Sequence, residues 1–116
     1  MTHDPDCLFC AIAVGEIPGD IVFSDDTFLA FRDVNPQAPV HVLVIPRDHY
    51  ADAAALAAAD PAVAGGLLEA ATQVARSQEL AAGYRIVLNT GSDGGQTVGH
   101  VHAHVLGGRQ MQWPPG

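Results

Sequence analysis

The seven residues His100-Val101-His102-Ala103-His104-Val105-Leu106 constrain the fold more than any other stretch of the chain. Histidine stands at every second position, and small or branched apolar residues fill the gaps. On a β-strand the period of two sends the three imidazoles to one face, about 6–7 Å apart. It sends Val101, Ala103 and Val105 to the other face, into a core. A helix has no row joining i, i+2 and i+4, so the pattern has meaning on a strand. Packing alone accounts poorly for such a face. Strands favour branched and aromatic side chains, and each imidazole brings two ring nitrogens that need partners. The residues by themselves leave two chemistries open: a metal cluster, or a cluster of acid, base and nucleophile.

At 116 residues the chain suffices for a single domain, 1–116, with a real core. Its 5 basic residues (Arg32, Arg47, Arg76, Arg85 and Arg109) are scattered and face 13 acidic ones, for a net charge of -8. Sequence-independent binding to nucleic acid draws on lysine and arginine that displace counterions, so DNA and RNA are not expected partners. One nucleotide asks for less, because backbone N–H groups and imidazoles can hold one phosphate. No apolar run reaches ~18 residues, so no membrane span is expected. Residues 1–6 lack a basic segment followed by an apolar one, so a signal peptide is not expected and a cytoplasmic location is. Cys7 and Cys10 form a C-x-x-C, with redox and metal readings both open.

In chain order, residues 7–14 predict a short helix, and Pro18-Gly19 marks a turn. Residues 21–24 and 27–33 predict a hairpin about Asp25-Asp26. Residues 40–46 are nearly continuous in apolar side chains, which predicts a central strand ended by Pro46, with His41 its one polar residue. Asp52 caps a short helix to about Ala58. Asp60-Pro61 starts a long one, to about Ala82, with Gly83 as its C-terminal stop. Val63, Leu67, Ala71 and Val74 form its apolar stripe. Residues 84–89 and 100–106 are the last strands, joined by the glycine-rich loop 90–97, whose amides and Gln96 and Thr97 side chains could approach an anion beside the histidines. The tail, with the one tryptophan Trp113, predicts docking without regular structure. The class is α+β: an antiparallel sheet of about five strands, one long helix and a short N-terminal helix.

The strand motif resembles the H-φ-H-φ-H-φ-φ signature of the histidine triad (HIT) family. The segments Phe31-Arg32-Asp33, Pro36-Gln37-Ala38-Pro39, Leu43-Val44-Ile45-Pro46, Gly91-Ser92-Asp93-Gly94-Gly95-Gln96 and Trp113-Pro114-Pro115-Gly116 are similar to its Hint branch. The resemblance implies a HIT-like fold and a purine nucleoside phosphoramidase that passes through a covalent nucleotidyl-histidine. By position His102 matches the nucleophile, and His104 matches the residue that contacts the phosphate and the leaving group. His41 matches a supporting histidine. Asp33 matches the ribose acceptor, and Asn89, Gly95, Gln96 and Thr97 match the phosphate side. Phe9, Ile17, Phe31, Val34 and Leu43 would line the base pocket. The resemblance also implies a homodimer, with the Trp113 tail near the partner's site. In part of the family a structural zinc is held by residues matching Cys7, Cys10, His49 and His100, a closed Cys₂His₂ set. The alternatives are a dinucleoside polyphosphate hydrolase, which lacks the Trp-Pro-Pro-Gly end, and a nucleotide-binding adaptor with little turnover. A zinc hydrolase built on His100, His102 and His104 is a further one.

Overall fold

The computed structural model describes residues 3–116. Helix α1 spans Leu8–Ala13, strands β1 to β3 span Ile21–Ser24, Phe28–Arg32 and Val40–Pro46, and helices α2 and α3 span Ala53–Ala59 and Pro61–Ser77. Strands β4, Tyr84–Val87, and β5, Ala103–Gly107, complete the chain. All strand pairs are antiparallel, in the order β1-β2-β3-β5-β4. The first turn is built by a side chain: Asp25 Oδ1 accepts from the Thr27 and Phe28 amides at 2.8 and 2.7 Å. Asp52 and Asp60 cap α2 and α3, accepting from Ala55 N–H and Val63 N–H, as the acceptor-then-helix pattern predicts.

The apolar run of β3 is continuous because both faces of the sheet are covered. On one face Val42, Val44, Val101, Ala103 and Val105 pack under Leu67, Ala71 and Val74 of α3. Burying such side chains is the main stabilising term in the fold. On the other face Leu29, Phe31, Leu43 and Ile45 meet Cys7, Phe9 and Cys10 of the α1 segment. Gly66 lets α3 settle on Phe28; a Cβ there would lie 2.9 Å from the ring.

Three boundaries differ from the expectation, the simplest being that β4 ends at Val87, not at residue 89. The long helix ends at Ser77, not near Ala82, and Gly83 is not its stop. Glu79 takes the left-handed conformation at φ 60, its N–H bonds Arg76 O and the Leu80 N–H bonds Ala75 O. That is the Schellman pattern. The left-handed geometry costs a non-glycine residue about 1–2 kcal/mol. The turn drops Leu80 into the core, against Gly107, where a Cβ would lie 2.6 Å from Leu80 Cδ1. The third difference lies at the histidines. Strand β5 starts at Ala103, so His100 and His102 precede it. The β3–β5 ladder ends at Val44–Ala103. Two residues beyond Val44, Pro46 has no N–H to give, and the Val101 N–H turns instead to Tyr50 O at 2.7 Å. The alternation survives: Val101 and Ala103 lie in the helix-side core. Among the described residues no helix is long and apolar enough to cross a membrane.

Candidate active site

Backbone groups set the proton positions of three histidines and, through one of them, of a fourth. A carbonyl only accepts and an amide N–H only donates, so each fixes the ring nitrogen it meets. His102 Nδ1 lies 2.8 Å from His100 O, so Nδ1 carries a proton and Nε2 is the lone-pair nitrogen of the neutral ring. Gln37 N–H donates to His41 Nδ1 at 3.1 Å, so His41 is protonated on Nε2. That nitrogen lies 2.9 Å from His104 Nδ1, so His41 donates and His104 holds its own proton on Nε2. The Asp33 carboxylate stands 3.4 Å from His41 Nε2. The His102 and His104 rings have centroids 4.9 Å apart.

Burial disfavours charged imidazole. It pushes His104 down to about 4, helped by His102 and His41 and opposed by Asp33. It lowers His41 too, against the pull of Asp33. Both rings are neutral at pH 7. The arrangement sets a ring N–H on neutral His104 beside a His102 ring whose neutral form is bare at Nε2.

His100 serves a second cluster. Its Nε2–H donates to Pro46 O at 2.8 Å, which leaves Nδ1 bare. That nitrogen lies 3.4 Å from Cys7 Sγ and 3.5 Å from Cys10 Sγ, and His49 Nδ1 lies 3.5 Å from Cys10 Sγ. The four ligand atoms all fall within 4.8 Å of one another. A tetrahedral zinc with ordinary bond lengths would set sulfur and nitrogen about 3.5 Å apart, so these residues fit such an ion. Burial raises the Cys10 thiol above its ordinary range. Asp33, His41 and His104 also place one ligand atom each within 4.8 Å. Their donor set does not fit a metal, because His41 Nε2 carries the proton that the Gln37 amide keeps there.

A cavity of about 710 Å³ opens in front of His102 and His104. Of the residues the sequence singled out, Phe9, Phe31, Asp33, Val34, Leu43 and Thr97 also line it. Phe9 sets its edge against His102, with centroids 5.1 Å apart. His41 is buried behind His104. Ile17, Asn89, Gly95 and Gln96 are not in the wall. The Gln96 amide is used in holding the loop, donating to Ala51 O before α2 and to Val98 O and accepting from Gly91 N–H. Trp113 is 83% exposed and does not dock on its own chain. The tail is instead tied down by arginines, Arg85 to Gln112 O and Arg109 to Gln37 O. Sequence reasoning missed Leu8, Ile12, Pro18, Gly19, Asp20, Arg32 and Val98, which complete the wall. The only available signal was that Leu8 and Ile12 share α1 with Phe9.

The chain matches the HIT domain model over residues 14–111. It is 47% identical over 115 residues to the adenylylsulfatase HINT1 of Arabidopsis thaliana, covering 97% of this chain and 78% of the relative. It is 46% identical over 115 residues to the 14 kDa zinc-binding protein of Zea mays, covering 97% and 90%. The crystal structure of a HIT family hydrolase from Legionella pneumophila Philadelphia 1 superposes with a TM-score of 0.92 at 50% identity, covering 96% of this chain and all of the other (100%).

Proposed function

The chain belongs to the HIT domain family, and from that premise we propose that it hydrolyses purine nucleoside 5′-phosphoramidates through a covalent nucleotidyl-His102 intermediate. The observation that carries the reading is the His102 Nδ1–H held by His100 O at 2.8 Å, which makes Nε2 the lone-pair nitrogen of the neutral ring, on a ring that lines the cavity. A neutral imidazole is a competent nucleophile near pH 7. Phe9, Phe31 and Leu43 offer an apolar wall for a base, and the Asp33 carboxylate offers an acceptor for a ribose hydroxyl. His102 Nε2 attacks phosphorus and the P–N bond breaks. The amine leaves with one proton more than it held in the substrate. His104 Nε2–H is the hydrogen-bond donor placed at that nitrogen, and the extra proton is taken up from solvent, because a neutral imidazole keeps its last proton near pH 7. Water then attacks phosphorus, the bond to His102 Nε2 breaks, and the nucleoside monophosphate leaves as a proton returns to solvent. The Arabidopsis relative's name supports attack on an adenylyl group.

The same reading includes one structural zinc at Cys7, Cys10, His49 and His100, for which the Zea mays relative's name and the fit of the ligand atoms speak. When bound, zinc supplies a cross-link between the α1 segment and the sheet. It includes a cytoplasmic location and a homodimer, the dimer supported by the exposed Trp113 and by a hollow of about 540 Å³ between Tyr84 on the β4 edge and the tail. The deciding assay is single-turnover hydrolysis of an adenosine 5′-phosphoramidate. The wild type should release AMP and amine, and His102→Ala should release neither above background while keeping its fold.

A further inference from the structure

Arg109 and Gln37 stand outside the cavity, yet a continuous line of hydrogen bonds joins them to the His104 ring. Gly108, at φ 90, turns the chain after β5 over Pro39, where a Cβ would lie 2.9 Å from Pro39 Cβ. The turn delivers Arg109 to Gln37. Its Nη2 and Nε donate to Gln37 O at 3.1 and 3.3 Å, and Nη1 donates to Gln110 O at 3.3 Å. The Gln37 N–H donates to His41 Nδ1 at 3.1 Å, and His41 Nε2–H donates to His104 Nδ1 at 2.9 Å. Of the two links that reach an imidazole, the Gln37 amide is the one whose sense cannot reverse. A neutral imidazole has one proton and two nitrogens, so a neighbour that only donates decides where the proton sits.

We propose that Arg109 and the backbone amide of Gln37 are positioning groups that fix the tautomer of His41 and thereby hold the His104 proton on Nε2, on the side of the ring away from His41. Arg109 acts by holding the Gln37 segment in place, and the amide acts by occupying His41 Nδ1. The inference deepens the proposed function and rests on its reading of His104 as the donor to the departing amine. Without the amide, His41 is free to carry its proton on Nδ1. Its bare Nε2 then faces His104 Nδ1, which becomes the protonated nitrogen, and the donor toward the substrate is lost.

The test is long-range ¹H–¹⁵N correlation of the ring nitrogens in the labelled full-length protein at neutral pH, alongside single-turnover kinetics on an adenosine 5′-phosphoramidate. Wild type should show His41 and His104 both protonated on Nε2. Gln37→Ala keeps the amide and should keep both tautomers. Gln37→Pro removes the N–H and leaves only the Asp33 carboxylate, 3.4 Å away, to favour the His41 Nε2–H form; it should populate the Nδ1–H form of both rings and lower kcat up to the order of 10²-fold with little change in KM. Arg109→Ala should lower kcat by about fivefold, the worth of one net hydrogen bond, and mix the tautomers; Arg109→Lys should recover part of the loss. The inference is overturned if wild-type His41 is protonated on Nδ1. It is equally overturned if Arg109→Ala leaves tautomers and kcat at wild-type values. Those two results decide it even where Gln37→Pro fails to fold. Wild-type protein with the expected tautomers but no turnover would defeat the proposed function and leave this inference standing.

Discussion

The ring of His100 and the ring of His102 are joined through one carbonyl. His100 O receives the His102 Nδ1–H at 2.8 Å, while His100 Nδ1 faces the sulfurs of Cys7 and Cys10 at 3.4 and 3.5 Å. One residue thus serves the metal-type cluster with its side chain and orients the proposed nucleophile with its backbone. Phe9, between the two cysteines in α1, touches both rings edge-on.

Metal content follows from that link. We expect one zinc per chain in protein purified without chelator, and none in Cys10→Ser. A ligand that binds only the folded state at 1,000 times its Kd adds about 4 kcal/mol of stability, so the variant should melt well below wild type. Elemental analysis and thermal melts check this. Two zinc ions per wild-type chain would contradict the argument that the Gln37 amide closes the Asp33, His41 and His104 set to metals.

The leaving group should decide how much His104 matters. An amine needs a proton to depart and sulfate does not. His104→Ala is expected to slow single-turnover cleavage of an adenosine phosphoramidate on the order of 10²–10⁴-fold. Adenylyl sulfate should slow far less. Equal losses on both substrates would remove His104 from the role of donor.

Acid should weaken the fold over a defined window. His104 drops from its ordinary value of 6.5 to about 4. The unfolded chain therefore binds this proton first as pH falls. Stability tied to the neutral ring is complete above pH 6.5, declines from there to about 4 and is lost below. His41 shifts in the same direction. Melting temperature measured from pH 7 to 4 should fall, and His104→Gln should make the slope shallower. A variant profile as steep as the wild type would show that His104 carries none of it.

The adjacent glycines of α3 should respond with opposite signs. A Cβ on Gly65 meets nothing within 4 Å, whereas one on Gly66 would lie 2.9 Å from the Phe28 ring, which is 7% exposed. Gly65→Ala is expected to stabilise by up to about 1 kcal/mol from helix propensity. Gly66→Ala should destabilise, because a packed ring has little room to retreat. Urea unfolding of the two variants is sufficient.

The elements were legible where one face had to be buried. The alternation at 100–106 and the stripe from Val63 to Val74 each have a period that belongs to one kind of element. The histidine and cysteine clusters proposed for catalysis and for zinc were legible because imidazole and thiol have few other reasons to gather. What stayed hidden depends on the backbone. Glu79 gives no sign that it will end a helix, since the left-handed turn is favoured by where Leu80 lands. The roles of Gln37 N–H, Pro46 O and His100 O are invisible in a sequence, because every residue has such groups. The cavity wall was half legible: Leu8 and Ile12 look like core residues until the sheet leaves a hollow beside them.

The central claim is the covalent step on His102, and trapping it is the most direct test. Protein quenched in acid-free denaturant during turnover of an adenosine 5′-phosphoramidate should carry an adenylyl group, mapped by mass spectrometry to His102 and missing from His102→Ala. Turnover in which His102 stays unmodified while another residue, such as His104 or His100, bears the adenylyl group would contradict the account.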